Sequence, residues 1–188
     1  RMPAAVIERA MDLLPHVDFV NAYGLTETSS TIAILDPESH RIARASDDPE
    51  ERRRLSSVGQ PLPTIELQVR DEAENCVPSG TLGEIWVRGD QVSGEYKERK
   101  VKREDGWFPT SDSGWLDSGG YLFVEGRLDD VIVRGGENIS PGEIEDVLLT
   151  HPAIADACAV AAPSAEWGEA VAIAIVPRAG HAAPSEAE

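Results

Sequence analysis

Apolar positions change period twice along the chain. Val6, Ile7, Ala10, Met11 and Leu14 recur at helical spacing, and Pro3 suits a first turn, so residues 3–14 are expected to form an amphipathic helix. Residues 18–23 read as a short strand ended by Gly24, and the β-branched run 31–35 reads as a second strand. A helix, a strand and a turn in this order fit the tail of an α/β layer, where ligands bind off the carboxyl ends of strands. Residues 36–54 then lose the pattern. They are polar, highly charged and almost free of large apolar side chains, which reads as a surface excursion with a helix only near 49–55.

The period becomes two beyond that excursion. Ile65, Leu67 and Val69 alternate with Glu66, Gln68 and Arg70. Residues 83–89 lie between glycines, and 121–124 are entered through Gly119-Gly120. Short strands at such spacing suggest a small barrel or sandwich. From Asp130 the pattern is α+β. Strands are expected at 131–133, 157–161 and 171–176, with a helix at 141–149. Ser140 is placed as its N-cap, Pro141 at the first helical position, Glu143 as the other half of a capping box, and His151-Pro152 as the stop. The expected organisation is the end of an α/β subdomain (1–54), a β-rich barrel-like subdomain (55–128), and a hinge with the start of a small, incomplete α+β domain (129–188). No internal repeat is visible.

Composition narrows the function classes. The 188 residues are 41% hydrophobic, as in a folded globular protein, with no apolar run of the ~18 residues a membrane helix needs. The first segment mixes Glu8, Arg9 and Asp12 into its apolar pattern, unlike a secretory leader, and the start at Arg1-Met2-Pro3 suggests a piece of something longer. Lys and Arg number 17 against 34 Asp and Glu, a formal net charge of −17. A phosphate-backbone binder needs the opposite field, which argues against nucleic-acid partners. An anionic small ligand would have to be held by local cations, a metal or helix ends. Cys76 and Cys158 are far apart and read as two reduced thiols of a cytoplasmic protein; His16, His40, His151 and His181 are equally scattered and form no metal motif.

Four segments could carry chemistry. In Asn21-Ala22-Tyr23-Gly24-Leu25-Thr26-Glu27, Tyr23 offers a flat face for a purine and Gly24 a close backbone approach. Thr26 can donate to a phosphate oxygen, and Glu27 can hold Mg2+. In Thr110-Ser111-Asp112, a carboxylate at a strand end can accept both hydroxyls of a ribose. Gly126-Arg127-Leu128-Asp129-Asp130 reads either as a charged turn with a solvated ion pair contributing about 0–1 kcal/mol, or as a ligand-facing hinge. Arg134-Gly135-Gly136 interrupts an apolar strand, as a bulge or bend does.

In this order and spacing the four segments resemble the adenylate-forming (AMP-binding) enzymes: acyl-CoA synthetases, peptide-synthetase adenylation domains and luciferases. The resemblance runs from end to end of the chain and implies a partial adenylate-forming enzyme fold. It also implies roles. Asn21 would lie by the adenine, Tyr23 stack on it, Gly24 allow the approach, Thr26 contact the α-phosphate and Glu27 help bind magnesium. Asp112 would bind the ribose, although the family usually has Gly where this chain has Ser111. Arg127 would reach ribose and phosphate, Asp129 would be the hinge, and Arg134, Gly135 and Gly136 would line the CoA tunnel.

The function implied is that of an ATP-dependent acid–CoA ligase, with ATP/AMP, Mg2+ and CoA as ligands and a carboxylic acid as substrate. Fatty and aryl acids both stay open, as does oligomeric state. The family's phosphate loop would lie before residue 1 and its catalytic Lys after residue 188; Lys97, Lys100 and Lys102 are in the wrong region to replace it. The chain alone is therefore expected not to adenylate. The alternatives are an adenylation domain that loads a carrier protein and a non-catalytic nucleotide- or acyl-binding relative.

Overall fold

The computed structural model describes residues 4–93, 95–96, 99–100, 103–182 and 184. Pro3, Lys97, Lys102 and the side chains of Lys100 and Asp129 lie outside the described set. The chain divides into two compact units, Arg1–Val124 and Glu125–Glu188.

The first unit opens with helix α1 (Ala4–Leu13), followed by strands β1 (Asn21–Leu25) and β2 (Ser30–Leu35). Gly24 does not end the first strand as its conformational freedom suggested. It lies within β1, and the pairing with β2 shifts register between Tyr23 and Gly24. The excursion expected at 36–54 is a second correction. It folds as helices α2 (Pro37–Ala45) and α3 (Pro49–Arg53) and a 3-10 turn, Arg54–Ser56. Few apolar residues are needed because only a narrow stripe is covered. Ala43 and Leu55 pack with Ile7 and Met11 of α1, and the buried His40 donates its Nδ1 proton to Asp36 O at 2.9 Å.

Both new helices start on an Asp-Pro pair. Asp36 accepts from Ser39 N at 2.7 Å, and Asp48 accepts from Glu50 N at 2.9 Å. The Ser39 bond holds the Asp36 carboxyl below its ordinary value of 3.8. Because the folded value is depressed, the contribution of this cap is complete above the ordinary value and is lost as pH falls through the folded one. Asp36→Ala should cost about 0.5–2 kcal/mol at neutral pH. That difference from wild type should vanish in strong acid, a pattern readable in urea titrations at several pH values.

Strands β3 (Gln60–Pro61), β4 (Ile65–Arg70) and β5 (Gly83–Gly89) follow, then a two-stranded pair, β6 (Glu95–Tyr96) and β7 (Arg99–Lys100). The long strand β8 (Phe108–Leu116) and β9 (Leu122–Arg127) complete a four-stranded sheet of order β4-β5-β8-β9, while β1, β2 and β3 form a three-stranded one. One core joins the two sheets: Ile32 and Ala33 pack with Ile65, Ile85, Val87, Val92, Phe108 and Leu122. On other residues of these strands guanidinium groups lie over indoles. Arg70 sits 4.4 Å from the Trp86 ring and 4.8 Å from Trp107, and Arg88 sits 4.7 Å from Trp107. The arginine stems help bury both tryptophans.

In the second unit a 3-10 turn (Leu128–Asp130) leads to β10 (Ile132–Arg134), β11 (Glu137–Ile139), helix α4 (Pro141–Leu149) and a long hairpin of β12 (Ile154–Ser164) and β13 (Gly168–Pro177). The sheet order is β11-β10-β13-β12. Glu145 of α4 accepts from Ala159 N at 2.9 Å, tying the helix to β12. Pro141 takes the first turn as expected, but Ser140 makes no side-chain cap bond, so the capping box with Glu143 does not form.

Candidate functional site

The segment after β1 is built around a hydroxyl that the sequence did not single out. Thr28 is fully buried. Its Oγ1 accepts from Leu25 N at 2.9 Å and lies within hydrogen-bond reach of the Leu25 and Ser30 carbonyls, at 2.9 and 2.8 Å. This closes the turn Thr26–Thr28. Ser29 and Ser30 follow with φ of 53° and 103°, a sparsely populated backbone for side-chain-bearing residues. Gly24 makes the tight return possible: a Cβ there would lie 1.8 Å from Ser30 O. Thr26 is exposed and Glu27 half-buried at the tip. Neither side chain makes a hydrogen bond or ion pair among the described residues.

Asp112 sits in the middle of β8, not at a strand end. The reason is a bulge. Glu84 pairs with Ser113 and Trp86 with Pro109, so Ile85 alone faces Thr110, Ser111 and Asp112. Thr110 Oγ1 donates to Ile85 O at 2.8 Å and accepts from Asp112 N at 3.1 Å. Ser111 adopts φ 59°, the left-handed conformation that glycine takes most readily. The Glu84 carboxylate holds it there, accepting from Ser111 N at 3.1 Å and from Trp86 Nε1 at 2.9 Å. Ser in place of Gly therefore leaves the turn a glycine-like shape.

The bulge aims Asp112 at β1. Tyr23 donates its hydroxyl proton to Asp112 Oδ2 at 2.5 Å, joining two sequence candidates 89 residues apart. Asn21, two residues earlier on the same strand, donates to Ser57 O at 2.8 Å. Asn21, Tyr23, Gly24, Thr26, Glu27 and Asp112 thus all belong to one strand, its turn and the bulge beside it.

The other candidates lie in the second unit. Arg127 ends β9, and Asp129 falls in the following 3-10 turn. Gly135 and Gly136 do not bulge a strand. They form the two-residue connection of the β10–β11 hairpin, in which Arg134 pairs with Glu137. Both have positive φ, 60° and 90°, as a primed turn requires. Trp167 lies against this turn. A Cβ on Gly135 would stand 2.7 Å from its ring, Gly135 N donates to Trp167 O at 3.0 Å, and the Arg134 guanidinium lies 5.1 Å from the ring centre. Next to it the Glu169 carboxylate accepts from Val133 N at 2.7 Å. Sequence reading missed Trp167, Glu169, Glu84, Gln91 and Ser93; Trp167-Gly168-Glu169, an aromatic beside Gly in an otherwise apolar run, was the only local signal.

Among the described residues no three His, Cys, Asp or Glu side chains are grouped to hold a metal ion. A cation at Glu27 would take its remaining oxygens from a ligand and water, which suits Mg2+ bound with phosphates.

Residues 1–97 match the AMP-binding enzyme family, and residues 143–188 match the AMP-binding enzyme C-terminal domain. The chain belongs to the AMP-binding enzymes. A curated family member, the 2-succinylbenzoate–CoA ligase of Bacillus subtilis (strain 168), is 39% identical over 79% of this chain and 29% of its own length. The fatty acid–[acyl-carrier-protein] ligase ScoC of Streptomyces coeruleorubidus is 34% identical over 94% of this chain and 33% of its own. Among solved structures, o-succinylbenzoate CoA synthetase from Bacillus subtilis with the acyl-adenylate OSB-AMP superposes with a TM-score of 0.79 at 31% identity, covering 98% of this chain and 36% of that one. The same enzyme has been solved with ATP and a magnesium ion. The chain spans about a third of the length of the AMP-binding relatives it matches.

Proposed function

We propose that this chain is the nucleotide- and acceptor-facing part of an ATP-dependent acid–CoA ligase. The Tyr23–Asp112 contact carries the reading, because it sets an aromatic face beside a carboxylate that can accept ribose hydroxyls, in a chain whose relatives include CoA ligases. A carboxylate is a poor electrophile for a thiol. In the first half-reaction its oxygen attacks the α-phosphate of ATP, the bond to the β-phosphate breaks, and acyl-adenylate and pyrophosphate form. Asn21, Tyr23, Gly24 and Asp112 position the nucleoside. Thr26 donates to the α-phosphate, Glu27 holds Mg2+, and Arg127 contacts ribose and phosphate, where charge develops. In the second half-reaction the CoA thiolate attacks the acyl carbon and AMP leaves. Asp129 is the hinge residue between the half-reactions, and Arg134, Gly135 and Gly136 line the path of the pantetheine arm.

A carrier-protein thiol as acceptor is the second reading. ScoC, named for loading an acyl carrier protein, is 34% identical to this chain. One assay separates the two. The full-length gene product is incubated with ATP, Mg2+ and a panel of fatty and aryl acids, with and without CoA, and pyrophosphate and thioester are measured. The expected result is pyrophosphate with one acid class, and acyl-CoA plus AMP when CoA is present. Pyrophosphate without thioester would move the acceptor to a carrier protein. Neither product with any acid would leave a non-catalytic binding module. The 188-residue chain by itself is expected to release no pyrophosphate, since neither the family's phosphate loop nor its catalytic Lys is among its residues.

A further inference from the structure

The turn Thr26–Thr28 is held from outside by a loop to which no role has been given. Residues 90–93 follow β5. Val92, 2% exposed, plugs into the core shared by the two sheets, and its N–H closes a tight turn on Gly89 O at 3.1 Å. This anchor leaves Gln91 and Ser93 on either side of it to face the turn. Gln91 spends both protons of its Nε2 on backbone carbonyls, Thr28 O at 3.1 Å and Thr31 O at 2.8 Å. Ser93 gives its backbone N–H and its hydroxyl to a third carbonyl, Glu27 O, at 2.9 and 3.0 Å. Four donors from one loop thus fix three carbonyls, and the two positive-φ residues, Ser29 and Ser30, lie between those carbonyls.

We infer that Gln91 and Ser93 are positioning residues for the metal–phosphate half of the site. The inference rests on the function proposed above. A turn with two side-chain-bearing residues at positive φ relaxes when its outside contacts are removed. Thr26 and Glu27 ride on that turn, so their placement depends on the loop. Gln91 bridges the end of the turn and β2, on both sides of Ser29 and Ser30, so its loss is felt more than that of the Ser93 hydroxyl, whose backbone N–H remains. The Asp112 backbone is fixed by Thr110 and its neighbour Ser111 by Glu84, while Tyr23 reaches the carboxylate from β1 and not from the turn, so the loop should act on the metal–phosphate end more than on the ribose end.

The test uses the full-length gene product and the variants Gln91→Met, which keeps the side-chain length without donors, and Ser93→Ala. Pyrophosphate release is measured against MgATP and against free Mg2+, and thioester formation is measured separately from pre-made acyl-adenylate and CoA. For Gln91→Met we expect the KM for MgATP and the Mg2+ requirement to rise by about tenfold, with about threefold for Ser93→Ala, and no change in the thioester step. Hydrogen exchange should show faster exchange of the amides at 26–31 in Gln91→Met. Unchanged MgATP and Mg2+ dependence in an active Gln91→Met enzyme would overturn the inference while leaving the proposed function standing. An equal loss in both half-reactions would overturn it too, by showing only general damage. A wild-type protein that neither binds MgATP nor releases pyrophosphate would instead remove the proposed function, and this inference with it.

Discussion

A methyl group placed on Gly24 is expected to lower the melting midpoint by roughly 6–12 °C, the shift that about 3 kcal/mol produces in a chain of this length. The added Cβ would meet Ser30 O at 1.8 Å, Ser30 C at 2.5 Å and Thr31 Cα at 2.9 Å. All three are backbone atoms of the paired strand, so no side chain can swing aside to make room. The only relief is to part β1 from β2 where the register shifts, and this moves the turn that carries Thr26 and Glu27. Gly80→Ala is the comparison. Gly80 has φ +81° with nothing within 4 Å of its added Cβ, so alanine there meets only backbone strain of about 1–2 kcal/mol. Thermal unfolding followed by circular dichroism should rank the two variants in that order. A Gly24→Ala protein as stable as wild type would mean that the strands do not approach this closely.

Asp112→Ala in the full-length gene product should reduce kcat/KM for adenylation by between about a hundredfold and about twenty-thousandfold. A carboxylate accepting two ribose hydroxyls makes two charge-assisted bonds of about 1.5–3 kcal/mol each, and each 1.36 kcal/mol is a factor of ten in rate. The neighbouring Tyr23 supplies the control. Tyr23→Phe keeps the flat face and removes only the hydroxyl that donates to Asp112, so its loss should stay within about tenfold. Stopped adenylation assays with ATP and with 2′,3′-dideoxy-ATP complete the comparison. If wild type and Asp112→Ala discriminate equally between the two nucleotides, Asp112 does not bind the ribose.

Much of this site was legible from residue types because its pieces are local. Tyr23, Gly24 and Leu25 lie on one strand that runs directly into the turn bearing Thr26 and Glu27, whereas the paired glycines 135–136, read as a bulge or bend, form a hairpin turn because Arg134 pairs with Glu137. What was not legible is what lies across a sheet. Asp112 was read at a strand end. Its place in mid-strand depends on β5, where Ile85 faces three residues at once. Gln91 and Ser93 sit in an ordinary polar loop, and their partners are carbonyls, which leave no trace in a sequence. The helix Pro37–Ala45 was missed for a related reason. Its buried stripe is little more than His40 and Ala43, too narrow to register as a period, although Asp36-Pro37 marks its start plainly. The Ser140–Glu143 capping box was expected from its spelling, yet Ser140, though at the N-cap position, makes no side-chain cap bond.

The four tryptophans fall into two optical classes. Trp86 and Trp107 are sealed beneath arginine stems, and Trp115 stacks on Phe123 with ring centres 4.0 Å apart; all three belong to the first unit. Trp167, 44% exposed, is the second unit's own, and it rests on the Gly135 turn. A neutral quencher such as acrylamide should therefore reach Trp167 most readily, the half-buried Trp115 less, and Trp86 and Trp107 least. Emission from Trp167 reports the state of the β10–β11 hairpin, while the shielded emission reports the unit that holds Tyr23 and Asp112. The native chain thus carries a separate fluorescent reporter for each of its units, with no label attached.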